Sequence, residues 1–174
     1  MAVDPAKLAY ALGHLPIRAL TAADAPALAR LMHDAYAGTV DDGGETLAET
    51  VDEVGRLLAG EFGEIIWTAS FAIDADPHGA GPAGDLAAVS IATLWRRVPL
   101  IAFCLTHPSK QQRGYAIALV RATAAALAQQ GHRRVHLVVT HGNTAAERLY
   151  EKLGFVDFPL PPDPEADPEA DASA

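Results

Sequence analysis

Leu100-Ile101-Ala102-Phe103-Cys104-Leu105-Thr106-His107-Pro108-Ser109-Lys110-Gln111-Gln112-Arg113-Gly114-Tyr115-Ala116 is the stretch from which the fold can be read. Its first seven residues have the length and the β-branched and aromatic content of a buried strand, and residues 107–110 break the run at a proline. From 117 to 130 the chain consists of strong helix formers. A strand, a short loop with a glycine at a tight turn, and a helix N-terminus bring several free N–H groups and the positive end of a helix dipole to one point. Residues 111–116 therefore read as an anion cradle suited to phosphate. Neither the Gly-Lys-Ser/Thr of a nucleotide phosphate loop nor a Gly-x-Gly-x-x-Gly fingerprint is present.

Working outward, residues 16–20 suggest a first strand. Asp24, with Pro26 in the first turn, starts a helix that carries Leu28, Leu31 and Met32 on one face and stops at Gly38. An acidic, glycine-rich loop over 39–46 leads to a second helix over 47–59, with Val51, Val54, Leu57 and Leu58 at helical spacing. Strands are expected over 64–73 and 86–98, joined by a mobile Gly/Pro-rich connection over 74–85. After the helix that ends near Gly131, residues 132–140 suggest a strand buried on both faces. Thr144 with Glu147 matches a capping box for a last helix beside Asn143, with Gly154 as its C-terminal stop and a short strand over 155–158. Residues 4–14 suggest a loose helix. The tail over 159–174 is acidic and Pro-rich with little apolar bulk, so it is expected to be disordered.

The 174 residues suffice for one domain, expected over 1–158. A net charge of −9 is unevenly spread: residues 1–85 hold fourteen acids against four Lys/Arg, whereas 86–146 hold seven Lys/Arg and no acid. The basic block suits a polyphosphate ligand and the acidic half a cationic partner, while the few basic residues and negative total disfavour nucleic acid. No apolar run approaches the ~20 residues of a membrane span, so no membrane partner and a cytoplasmic location are expected. The single cysteine, Cys104, excludes an internal disulfide and reads as buried filler. The seven histidines lack paired helical spacing with carboxylates, so no metal site is expected.

Gln111-x-x-Gly114-x-Ala116 resembles the acyl-CoA signature of the GCN5-related N-acetyltransferase (GNAT) family. Downstream, Asn143-Thr144-Ala145-Ala146-Glu147-Arg148-Leu149-Tyr150-Glu151-Lys152-Leu153-Gly154-Phe155 is similar to the family's Asn-x-x-Ala-x-x-x-Tyr-x-x-x-Gly-Phe helix, in the right order and spacing. The resemblance covers about 17–158. It implies an α/β (α+β) fold: a mixed, mostly antiparallel sheet of about six strands flanked by about four helices and splayed between the fourth and fifth strands. It also implies acetyl-CoA as cosubstrate and an amine acceptor, small-molecule or peptide. The family usually adds a seventh strand after the sixth; its absence leaves an edge that a partner subunit, in a homodimer, would cover.

For acetyl transfer, the N–H groups of Gln112, Arg113, Gly114, Tyr115 and Ala116, with the Gln111 and Arg113 side chains, would hold phosphates. The resemblance places pantetheine and the thioester against main-chain groups near Leu105 and Thr106, on a bulged strand. Tyr150 lies two helical turns after Asn143, so the two share a face, with Ala146 leaving room between them. The resemblance makes Tyr150 the general acid and Asn143 part of the cofactor site. Asp41, Asp42 and Glu45 lie in the loop that would cover the acceptor end. Histone-acetylating members carry a glutamate where Leu100 stands here; His107 reads as structural, His136 and His141 as alternative bases, and water as a third route. Transfer of a longer acyl group, or CoA binding by a regulator without turnover, are the competing readings.

Overall fold

The computed structural model describes residues 1–7, 15–76 and 84–159. Residues 77–83 of the expected Gly/Pro-rich connection, most of the expected N-terminal helix and the tail from 160 lie outside the described residues.

One seven-stranded sheet runs through the molecule. Its strands are β1 (Ala2–Val3), β2 (Ile17–Ala19), β3 (Glu64–Ile65), β4 (Phe71–Asp74), β5 (Leu86–Trp95), β6 (Val98–Thr106) and β7 (Val135–Leu137). The helices are α1 (Ala25–Tyr36), α2 (Leu47–Leu58), α3 (Tyr115–Gln129) and α4 (Thr144–Lys152). Spatial order is β1-β7-β6-β5-β4-β2, with β3 also on β5. Every pairing is antiparallel except β6 with β7. On one face, Leu28, Leu31 and Met32 of α1 and Val54 and Leu57 of α2 pack on Val89, Ile91, Phe103 and Leu105. On the other, Val120, Ala124 and Leu127 of α3 pack on Ile101, Val135 and Leu137, with Tyr150, Leu153 and Phe155 completing the layer. Alanines on α3 let that helix approach the sheet closely, where Thr123 meets the buried Ser90 hydroxyl at 2.9 Å.

The centre of the sheet is distorted at one level. Ile91 faces Phe103 and Ala92 faces Ile101, so Ala102 is an extra residue in β6. On the opposite side of β5, the five residues 66–70 face only Ile91 and Ala92. The surplus folds into a 3-10 turn, Trp67–Ala69, which splits the strand expected over 64–73 into β3 and β4. The Ser70 hydroxyl accepts the Ala92 N–H at 3.0 Å and donates to the Ile66 carbonyl at 3.0 Å, so the Ala92 N–H is paired despite the distortion, whereas the neighbouring buried Thr93 hydroxyl has no partner among the described residues.

Beyond the bulge the sheet opens. β6 and β7 pair only at Leu100 with His136 and Ile101 with Leu137. The strand expected over 132–140 therefore ends at Leu137, and Val138 is 64% exposed rather than buried on both faces. Nor do residues 155–158 form a strand: Val156 makes one bridge to Ala2. The edge of β7 is covered by the chain's own residues. Ala2 and Val3 pair with His136 and Val135, and Met1 exchanges hydrogen bonds with Leu137 at 3.0 Å. Two residues are too short for a periodic signal, so β1 escaped the sequence reading. At α4, Asn143 rather than Thr144 is the cap, its side chain accepting the Ala146 N–H. Among the described residues, no helix is long and apolar enough to cross a membrane.

The expected strand over 86–98 is in fact a hairpin limb that turns at Arg96-Arg97, whose φ values of 48° and 64° are those of a type I′ turn. Two side-chain-bearing residues without Asn or Gly are strained there. Arg96 compensates in part by lying 4.0 Å over the Trp95 ring. Replacing Arg96→Asn and Arg97→Gly together is expected to raise stability by about 1 kcal/mol in urea denaturation. A loss of stability would mean that the Arg96 stacking outweighs the strain.

Candidate active site

Where β6 and β7 part, a cleft of about 730 Å³ runs from the 111–116 loop, past the free side of β6 and α4, to the loop between α1 and α2. At one end the chain takes positive φ twice, at Gln112 (60°) and at Gly114 (79°), which is the N-cap of α3. Among the described residues no backbone carbonyl accepts from the N–H groups of Gln112, Arg113 or Gly114. Those of Tyr115, Ala116 and Ile117 belong to the first helical turn, which has no intrahelical acceptor. A Cβ built on Gly114 would meet nothing within 4 Å, so the space over the loop is open. This is the geometry of an anion nest on a helix N-terminus.

Gln111, Gln112, Gly114, Tyr115 and Ala116 line the cleft; Arg113 is exposed and does not. Lys110 also lines it, as its one cation, although nothing in the sequence pattern singled it out. Leu105 and Thr106 form the β6 side, and the Thr106 hydroxyl is buried without a hydrogen-bond partner among the described residues. Asn143, Ala146 and Tyr150 come from α4, as their spacing implied.

Tyr150 is 8% exposed, with its ring set edge-on to Phe155 at 5.7 Å. Burial first, then the neighbouring Cys104, raises its phenol far above the ordinary value, so it stays protonated in neutral solution. Cys104 was read as filler, but its side chain shares the cleft with Tyr150. Burial pushes its thiol up to about 11, opposed by a hydrogen bond with Tyr150. Such a thiol is a poor nucleophile. Tyr36, the last residue of α1, faces the same space and is raised likewise by burial, then by the charges of Glu53 and Asp41. Its position four residues after Met32 on the buried face of α1 was the signal for it.

In the loop between α1 and α2 the three acids separate. Asp41 lines the cleft and accepts a 3.0 Å hydrogen bond from the Asn143 amide. Asp42 instead accepts the Gly38 and Gly44 N–H groups at 2.6 and 2.9 Å, and Glu45 that of Gly43 at 3.1 Å, so both fold the loop on itself. Asp41 is thus the one carboxylate among the residues lining the cleft. The histidines stand elsewhere. His107 braces the turn before the cradle through Ser109 and lies 3.5 Å from Asp34, His136 is 3% exposed against Phe158, and His141 projects into solvent beside Glu147. Leu100 is buried within the sheet. Among the described residues, no three His, Cys, Asp or Glu side chains gather where they could hold a metal ion.

Residues 84–158, which hold the cradle, the free side of β6 and α4, match the family described as FR47-like protein. A GCN5-related N-acetyltransferase from Sphaerobacter thermophilus superposes with a TM-score of 0.59 at 16% identity, over 79% of this chain and 40% of that one. This is a GNAT fold. The aminoglycoside acetyltransferase AAC(6')-Iy, solved with the bisubstrate analogue CoA-S-monomethyl-acetylneamine, shares it with a TM-score of 0.58 at 19% identity, over 87% of this chain and 97% of that one. So does the ribosomal-protein-S18-alanine N-acetyltransferase of Escherichia coli, with a TM-score of 0.61 at 20% identity, over 82% and 78%. Among curated proteins no sequence matches the chain. In this chain the splay between β6 and β7, the bulge in β6 and the glycine-capped α3 make the cleft.

Because Cys104 is the chain's single cysteine, its environment can be titrated directly. Alkylation by iodoacetamide, followed by mass spectrometry, is expected to have a pH midpoint near 11. A midpoint near the ordinary ~8.5 would show a thiol that solvent reaches freely.

Proposed function

We propose that the protein is an acetyl-CoA-dependent N-acetyltransferase that transfers acetyl to a primary amine by direct attack. The observation that carries this reading is the convergence, in one cleft, of the anion nest, the unpaired side of β6 and the Tyr150 phenol. The nest suits a pyrophosphate, with Lys110 adding charge at the same end. The register turns the N–H and C=O of Leu105 toward Val89 and those of Cys104 and Thr106 to the free side of β6, where they suit the pantetheine arm and the carbonyl oxygen of the thioester as it gains charge. In the step itself the amine nitrogen bonds to the carbonyl carbon, the carbon–sulfur bond breaks and its electron pair leaves on sulfur. Tyr150 donates a hydrogen bond to that sulfur and then its proton, which the phenol regains from water as the products leave. Burial keeps the phenol in its donor form, and a thiolate formed at the same dry site is short of other donors. The proton of the amine leaves to water at the open end of the cleft.

Asp41, the cleft's carboxylate, supports a cationic acceptor. The amine-acetylating relatives named above, one acting on an aminoglycoside and one on a protein alanine, support either a small-molecule or a peptide amine. Turnover separates this reading from a silent CoA-binding regulator, and a comparison of acetyl-CoA with longer acyl-CoA donors separates it from transfer of a larger group.

Two substitutions test the assignment. Gly114→Asp adds a negative charge in open space at a φ that Asp tolerates, so the chain should fold while acetyl-CoA binding by calorimetry falls by about 100-fold or more. Unchanged affinity in the folded variant would remove the nest from the site. Tyr150→Phe should leave acetyl-CoA affinity nearly intact and lower kcat by roughly 10²- to 10³-fold, the scale of lost general-acid catalysis. Steady-state constants within about twofold of wild type would make Tyr150 a packing residue only.

A further inference from the structure

Asn143 uses both ends of its amide. Its oxygen accepts the Ala146 N–H at 3.2 Å and caps α4, while its nitrogen donates to Asp41 Oδ2 at 3.0 Å from a position 102 residues along the chain. No other side-chain hydrogen bond among the described residues joins the α1–α2 loop to α4. Within the loop, the carboxylates of Asp42 and Glu45 are spent on the N–H groups of Gly38, Gly44 and Gly43. Asp41 is held differently. The Asp41 N–H donates to the Thr39 hydroxyl at 3.2 Å, and its side chain is fixed from across the cleft. Tyr36 and Tyr150 are both close enough to feel the Asp41 charge.

The structure assigns Asn143 as a positioning residue for the acceptor: its amide holds the Asp41 carboxylate at the mouth of the cleft, where that carboxylate anchors the ammonium form of the incoming amine. This rests on the acetyltransferase reading above and changes one part of it, moving Asn143 from cosubstrate binding to acceptor recognition. An Asp on a glycine-rich loop would sample many positions. A bond to the rigid start of α4 removes that freedom and leaves Oδ1 available to a cation. The acceptor class it selects is an amine that is charged at neutral pH, in preference to an uncharged nucleophile.

The probes are 1,4-diaminobutane, which is cationic at neutral pH, and hydroxylamine, which is largely uncharged. Wild type should turn over the diamine with the lower KM. Asn143→Ser keeps an N-cap oxygen but cannot reach Asp41. It should raise KM for the diamine about tenfold, raise that for hydroxylamine by at least about fivefold less, and shift the acetyl-CoA Kd by less than about twofold. Added to Asp41→Asn, it should cause no further loss. As a check independent of the serine cap, Asn143→Asp sets two carboxylates against each other and should impair diamine turnover. Combining it with Asp41→Asn restores a hydrogen bond with donor and acceptor exchanged but leaves no carboxylate at position 41, so diamine KM should stay as high as in Asp41→Asn alone. A weakened acetyl-CoA Kd with diamine KM unchanged, additive losses in the double variant, or recovery of diamine KM in the exchanged pair would each overturn the assignment. If wild type binds acetyl-CoA yet turns over neither probe, the acetyltransferase reading itself falls with it.

Discussion

The parallel pairing of β6 with β7 lasts for two residues, and the rest of the molecule depends on where it stops. Continued for the length of β6, it would satisfy every backbone group from Ala102 to Thr106 and leave nothing for a ligand. The bulge at Ala102 bends β6 away at the level where β7 ends. Residues on both sides of the opening then line the cleft: the free side of β6, the turn at the start of α3 and the inner face of α4. An open sheet exposes backbone at a cost unless another partner replaces the lost hydrogen bonds. In the acetyltransferase proposed here, the pantetheine arm of the cosubstrate would be such a partner.

The remaining structure holds that opening in shape. Ser70 satisfies the Ala92 N–H beside the distortion, and the 3-10 turn at Trp67–Ala69 absorbs the residues displaced by it. Residues 1–3 cover the outer edge of β7, so that this short strand is paired on both sides despite parting from β6. Across the sheet, Arg18 ties the first turn of the helical layer to β4, donating to Asp24 at 2.8 Å and Asp74 at 2.7 Å. Burial alone would raise the Asp24 carboxyl, but Arg18 and the Thr21 N–H hold it below its usual range. It therefore stabilises the fold above the unfolded carboxyl pKa of ~4, and that contribution is lost as pH falls further.

Much of this was legible in local pattern. The break at Pro108, Gly114 before a run of helix formers, and Asn143 two turns ahead of Tyr150 located the cradle, α3 and α4, because each is a short-range rule about backbone freedom or helical period. The misreadings have physical causes of their own. Arg96-Arg97 turns a hairpin with residues that carry no turn signature. Residues 138–140 have the apolar content of a strand yet lose their neighbour to the splay. Ala2–Val3 is too short to show any period.

For the site, the residue types at the cradle and on α4 were fixed by the chain's local order, whereas their company was not. Cys104 looked like core filler because strand alternation says which residues share a face, and is silent on whether that face is covered. Asp41, Asp42 and Glu45 were indistinguishable in sequence; tertiary structure sends two of them to their own loop and one across the cleft to Asn143. The sequence by itself determined most of the elements and the glycine turn that opens α3, since those follow from torsion preferences and hydrophobic period over a few residues. Only the tertiary structure decided which acid faces the cleft, which tyrosines are dried and where β6 is left unpaired, because burial and long-range hydrogen bonds join residues that the chain holds a hundred positions apart.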